Sequence, residues 1–337
     1  MEDDLRVYGN RSEWHMHGRK LITMECDSLF LPRMTLFKSG TTEHTLQALN
    51  RNVLVETNQN ISPLKQIWLQ WHQKLGHPGF TLVQQLGLGG FLSKAALSLT
   101  HNKFQQPPFC AACQFGKQSR NPSGTVHVRR NPATTGSLIK ENLKAGDLIF
   151  MDQLESRTCG RLFTSSGREH QIDRFKGSTI FCNAASGLLH VEHQVTFTAN
   201  KTVQSKVSFE QMAKEHGTNI RNYHSDNGVF KASEFLNELH THGQSIKFST
   251  TGAHWQNGVA ENAIKITVTR ARTMMIHSSL HWPDEYDKSL WPMAVSYDIH
   301  LYNNAPNRKS GIAPIETFTG VYVLDPRLTE SGGKMPK

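Results

Sequence analysis

Two stretches, His224-Ser225-Asp226-Asn227-Gly228 and Gly252-Ala253-His254-Trp255-Gln256-Asn257-Gly258-Val259-Ala260-Glu261, decide the reading of this chain. The first closes a short apolar strand pattern over 220–225. The second opens the longest helical pattern, about 257–278. Upstream, Leu148-Ile149-Phe150-Met151 reads as a buried strand that ends on Asp152. Three carboxylates therefore stand at a strand end, a second strand end and the first turns of a helix, with Glu261 placed 35 positions after Asp226. Taken singly, an acid at a strand end is solvated, and a Glu near a helix N-terminus favours the macrodipole. Taken in this order within one α/β region, they are the hard oxygen donors that Mg²⁺ or Mn²⁺ prefers. Two such cations, about 4 Å apart, are what phosphoryl transfer on DNA requires. Asp152, Asp226 and Glu261 are the candidate catalytic and metal-holding residues.

The surrounding pattern is α/β. Strands are expected at 147–152, 178–183, 188–194, 220–225 and 246–249, and helices at 202–216, 232–242, 257–278 and 287–302. Three consecutive strands followed by alternating helices and strands is the order of a mixed five-stranded sheet flanked by helices. Ahead of it, Ile67, Trp68, Trp71 and Leu75 recur at helical steps, so one helical stretch is expected over 63–86. Residues 1–60 carry no motif, and only a strand about 20–24 is expected there.

His72 and His77 have four residues between them, Cys110 and Cys113 two. Two close pairs on separate segments can close a tetrahedral zinc site, and metal would staple a segment too small to hold itself by apolar burial. The histidine spacing alone is commonplace; the CxxC is the rarer signal. His101 is a rival ligand.

These motifs together resemble a known family. Trp71-His72-Gln73-Lys74-Leu75-Gly76-His77-Pro78 and Cys110-Ala111-Ala112-Cys113-Gln114-Phe115-Gly116-Lys117 look like the pre-integrase zinc segment of copia-type retrotransposon polyproteins. The two acidic motifs, Leu290-Trp291-Pro292-Met293-Ala294 and Ala313-Pro314-Ile315-Glu316-Thr317-Phe318-Thr319-Gly320 resemble the integrase core that follows it. The resemblance implies an RNase H-like fold preceded by a small helical zinc-binding domain. It also implies a structural Zn²⁺ on His72, His77, Cys110 and Cys113, and Mg²⁺ or Mn²⁺, two per active site, on Asp152, Asp226 and Glu261. One departure is Asn183, in Asn183-Ala184-Ala185-Ser186, where the family usually has Asp. The implied organisation is a lead-in (1–60), a pre-integrase domain (61–120), a basic linker (121–144), a catalytic core (145–320) and a tail (321–337).

The formal net charge of +9, from 37 Lys+Arg against 28 Asp+Glu, suits a polyanionic partner. Lys117, Arg120, Arg129, Arg130, Lys140 and Lys144 cluster between the two motif regions. On the long helix, Lys265 and Arg272 share a face with Glu261, at steps of four and seven. Lys265 there is either a helix-surface ion pair with Glu261 or, as the resemblance implies, a contact to element DNA. Gln256, Asn257, Arg129 and Arg130 complete the candidate DNA contacts. The five cysteines form no regular framework, which fits reduced thiols and an intracellular protein, nuclear when acting. The acidic N-terminus is no signal peptide, and no apolar run reaches the roughly 18 residues of a membrane span. The expected function is an integrase, a polynucleotidyl transferase that joins element DNA ends to target DNA as a homo-multimer. The alternative is a truncated or host-adopted remnant that binds DNA and zinc without catalysis. No protease or reverse transcriptase motif is present, and a C-terminal integrase domain is expected to be missing.

Overall fold

The computed structural model describes residues 61–88, 92, 106–118, 143–164, 170–250, 257–307 and 310–322, together with the backbone of four strands nearer the N-terminus. Those four, β1 (Asp4–Tyr8), β2 (Arg11–Met16), β3 (Arg19–Cys26) and β4 (Pro32–Met34), form an antiparallel meander in the order β1-β2-β3-β4. The single strand expected about 20–24 is β3; the other three carry too little apolar alternation to be read beforehand. The chain divides into two compact units, residues 1–71 with 80–109, and residues 72–79 with 110–337.

The helical stretch expected over 63–86 is two helices, α1 (Pro63–Lys74) and α2 (Phe80–Leu88). The break is local. Gly76 (φ 72°) and His77 (φ 62°) are both left-handed, and Pro78 follows. In the first unit Trp68 meets the Phe80 ring edge-on at 5.3 Å and donates its indole N–H to the Phe80 carbonyl at 3.1 Å. A short helix, α3 (Ala111–Gly116), carries the second cysteine of the CxxC.

The second unit holds a five-stranded sheet in the order β7-β6-β5-β8-β9. Its strands are β5 (Ile149–Gly160), β6 (Phe175–Asn183), β7 (Leu189–Gln194), β8 (Asn222–Ser225) and β9 (Ser245–Phe248). β5, β6 and β7 are antiparallel neighbours, whereas β8 and β9 join β5 in parallel. Helices α4 (Ala199–Glu215), α5 (Ser233–Thr241), α6 (Gly258–His281), α7 (Trp291–Asn304) and α8 (Pro314–Thr319) flank it. Three antiparallel strands followed by two parallel ones, with helical crossovers, is the RNase H-like arrangement. β5 runs eight residues past the expected end at 152, because Gln153–Glu155 continue to pair with β6 despite their polarity. α7 begins at Trp291 rather than 287, since the Asp287 carboxylate accepts from the Ser289 N–H at 2.8 Å and Pro292 suits the first turn.

Alternation along β5 sorts the core. Ile149 and Met151 point to the layer that holds Phe181, Phe209, Tyr223, Phe235 and Phe318. Phe150 points to the other layer, with Cys182, Leu189, Ala260, Ala263, Ala271, Val295 and Ile299. Phe181 and Phe209 stack at 4.6 Å. The alanines of α6 let that helix lie close on the sheet. Among the described residues, no helix is long and apolar enough to cross a membrane.

Candidate functional site

The parallel register of β5 and β8 places the first two carboxylates. Ile149 pairs with Tyr223 and Phe150 with His224. Asp152 stands two residues past Phe150 on β5, and Asp226 directly follows the end of β8. Asp152 follows the alternation of Phe150, whose ring lies 5.2 Å from that of His224 and which packs with Ala260 and Ala263 of α6. The third carboxylate arrives on α6, whose start is tied to β5. Asn257 is buried and donates its side-chain amide to the Met151 carbonyl at 3.3 Å. One turn later stands Glu261.

The electrostatics agree with this placement. Burial raises Asp152 to about 6, and Asp226 and Glu261, both of like sign, push the same way; the hydrogen bond from the Gln153 N–H at 2.8 Å opposes them. The repulsion that Asp226 and Glu261 exert on Asp152 is of the kind that a divalent cation would relieve. The donor set, all oxygen, fits Mg²⁺ or Mn²⁺.

The second cluster is made of His72, His77, Cys110 and Cys113, whose ligand atoms all lie within 4.8 Å of one another. His72 Nδ1 donates to the Pro78 carbonyl at 2.8 Å, which turns the Nε2 lone pair toward the cluster. That Nε2 lies 3.2 Å from His77 Nδ1 and 3.3 Å from Cys113 Sγ, and His77 Nδ1 lies 3.4 Å from Cys110 Sγ and 3.7 Å from Cys113 Sγ. A tetrahedral zinc with bonds of about 2.0–2.3 Å would separate its ligands by about 3.3–3.8 Å. Burial holds His77 toward its neutral form, as ligation needs. Of the two thiols, Cys113 is lowered by the hydrogen bond from Cys110, and Cys110 is raised by the same contact and by burial. Both can ionise together only beside a cation. The left-handed turn at Gly76-His77 aims the second imidazole back at the first, and the Lys117 ammonium donates to the His77 carbonyl at 3.1 Å.

The remaining candidates are placed variously. Lys265 is exposed, one turn beyond Glu261. Arg272 donates through Nε to the Gly116 carbonyl at 2.8 Å and through Nη2 to the Gly116 and Gln118 carbonyls, the latter at 3.0 Å. Asn257 is enclosed rather than on a surface. Gln256, Arg129, Arg130 and the rival ligand His101 lie outside the described residues. Asn183, the departure from the family pattern, is fully buried. Its Oδ1 accepts from the Ala185 N–H (3.1 Å), the Ser186 N–H (2.9 Å) and the Ser186 hydroxyl (3.0 Å), an acceptor's role that a carboxylate would also fill. Sequence reasoning missed His277, whose ring lies 4.8 Å from His77 and which burial pushes down to about 2. It carried no motif signal.

The mixed five-stranded sheet flanked by helices and the His-His-Cys-Cys cluster are the two features on which the comparisons with known proteins bear. Residues 45–118 match the family model of the GAG-pre-integrase domain. The chain is 26% identical over 242 residues to the Retrovirus-related Pol polyprotein from transposon TNT 1-94 of Nicotiana tabacum. That alignment covers 70% of this chain and 15% of the polyprotein, so the chain spans only a small part of that relative. Among solved structures, similarity extends to the HTLV-2 integrase catalytic core domain in complex with magnesium (12% identity, 52% of this chain, 97% of that one, TM-score 0.37). It extends also to the simian T-cell lymphotropic virus intasome in complex with PP2A regulatory subunit B56 gamma (13% identity, 80% of this chain, 76% of that one, TM-score 0.43). The chain is thus similar, over residues 45–118, to the GAG-pre-integrase domain and, over 242 residues, to a retrotransposon Pol polyprotein.

Proposed function

We propose that this region is a polynucleotidyl transferase that joins the 3′-hydroxyls of element DNA to target DNA by in-line attack. The carrying observation is that Asp226 and Glu261, from distant segments, act electrostatically on Asp152. Divalent cations held there would supply activation of the attacking hydroxyl and stabilisation of the leaving oxygen. The chain's own part is positional. β5 carries Asp152, Asp226 follows the end of β8, and the tie from Asn257 to β5 holds the start of the helix that carries Glu261. Lys265, exposed beside them, would pair with a phosphate of the bound end. Zn²⁺ on His72, His77, Cys110 and Cys113 would be structural, because all four positions of a tetrahedron are protein ligands. The proposed partners are the element ends, the target DNA and further copies of this chain. Asn183 does not favour a non-catalytic remnant, since its Oδ1 supports the β6–β7 turn as an acceptor.

The test is strand transfer by purified protein with Mn²⁺ and a short terminal-repeat duplex. Joined products are expected, and Glu261→Gln should lower their yield by a factor of about 10² or more. Its duplex affinity should stay within about twofold of the parent, because the lost group is a metal ligand and not a phosphate contact. Activity that survives in Glu261→Gln would place the chemistry elsewhere. A folded parent protein that binds DNA and yields no product would favour the remnant.

A further inference from the structure

The zinc segment does not stand apart from the core. Five contacts seat it on the second half of α6 and on α7. Gly116, which ends α3, lies so near α6 that a Cβ there would come within 2.7 Å of the Thr273 Cα, and Thr273 is fully buried. Arg272, the adjacent residue, holds the Gly116 and Gln118 carbonyls at the end of α3. One turn on, His277 meets the His77 ring. On α7, Tyr297 donates its hydroxyl to the Lys74 carbonyl at 3.3 Å, and Gly76 leaves room for the Leu301 side chain.

A six-residue helix cannot sustain itself in water. α3 must therefore be held by its ligands at one end and by α6 at the other. The guanidinium fork suits this duty. It offers several donors to carbonyls that have no intrahelical partner, and its charge complements the negative end of the helix dipole. Glu261 sits in the first turn of the same 24-residue α6.

We propose that the zinc segment docks on the second half of the helix that carries Glu261, with Arg272 as the positioning residue, so that loading of the His-His-Cys-Cys cluster governs the order of α6. Arg272, though exposed, is in this arrangement a clasp on the end of α3 rather than a DNA contact. The inference rests on the zinc reading of His72, His77, Cys110 and Cys113.

Hydrogen exchange on the full chain tests it, with elemental analysis alongside. With about one zinc per chain, removing the metal by chelation should speed exchange over residues 270–281 by about tenfold or more while β5 and β6 stay unchanged. Arg272→Ala, still loaded with zinc, should speed exchange over the same residues and release zinc to a chelator about tenfold faster. Arg272→Lys should recover only part of the effect, since one ammonium cannot span two carbonyls. Gly116→Val is a second variant that pushes α3 off Thr273 without touching the ligands. The proposal is overturned if α6 ignores the loss of a zinc that was present. It is equally overturned if Arg272→Ala weakens duplex binding but leaves exchange and zinc release as they were. A chain that purifies without zinc would sink the metal reading instead, and the exchange of Arg272→Ala and Gly116→Val against the parent would still decide the docking.

Discussion

Asn183 uses one end of its side chain and wastes the other: Oδ1 takes three donors, while Nδ2 is buried with no hydrogen-bond partner. Asn183→Asp keeps the acceptor and removes the orphan donor. It should leave the fold intact and raise stability at pH 7 by about 1 kcal/mol, measured by urea denaturation; a loss of that size would show that burial of the charge outweighs its three donors. Asp152 supports a pH prediction. Its carboxyl is raised to about 6, above the unfolded value, mainly by burial. A raised carboxyl contributes stability below the unfolded value, near pH 4, and that contribution is lost as pH rises through about 6. Divalent cation works in the opposite sense, since it competes with the proton. Mn²⁺ affinity should therefore climb as pH rises from 5 toward 6 and level off above it, a profile that calorimetric titration would give. A flat profile over this range would remove Asp152 from the metal site.

At the scale of elements, the turn between α1 and α2 has the least tolerance. Gly76 has φ 72°, and a Cβ there would come within 2.7 Å of Leu301 Cδ1, so Gly76→Ala meets both backbone and packing strain. The cost should be about 1–3 kcal/mol, with faster zinc release, because the same turn orients the His77 imidazole. Thermal melting together with a chelator competition would check both; an unchanged release rate would separate the turn from the ligand set. The turn also explains why one expected helix became two. The apolar spacing of α1 continues past Lys74 in sequence, but two left-handed residues and a proline end the hydrogen-bond ladder.

For the whole molecule the question is how a chain of net charge +9 meets nucleic acid. Charges that touch phosphates release counterions, and each one adds about 0.9 to the salt slope of duplex binding. If Arg129 and Arg130 make such contacts, replacing both with alanine should lower the slope by about 2 and weaken all duplexes alike. An unaltered slope would assign them to a solvated stretch. Lys265→Ala should lower the slope by about 1 and weaken strand transfer more than affinity, because its place beside Glu261 concerns the reacting end.

Much of the candidate site was legible because its signals are local. An acid at the end of an apolar strand or a CxxC declares itself within a few residues. The strand order could be expected in outline because period-two and period-three-to-four patterns are likewise local. What the sequence by itself determined is therefore the inventory: which residue types are able to hold which metals, and on which elements they stand. The tertiary structure decided their companions. Arg272 was assigned to DNA by its helical phase beside Glu261, yet its acceptors are carbonyls about 156 positions earlier in the chain. Asn257 was read as a candidate DNA contact; it is buried and donates to a carbonyl 106 positions away. A side chain's hydrogen-bond partner depends on which backbone happens to approach it. That approach is set by packing between elements far apart in sequence, which no periodicity within one helix records.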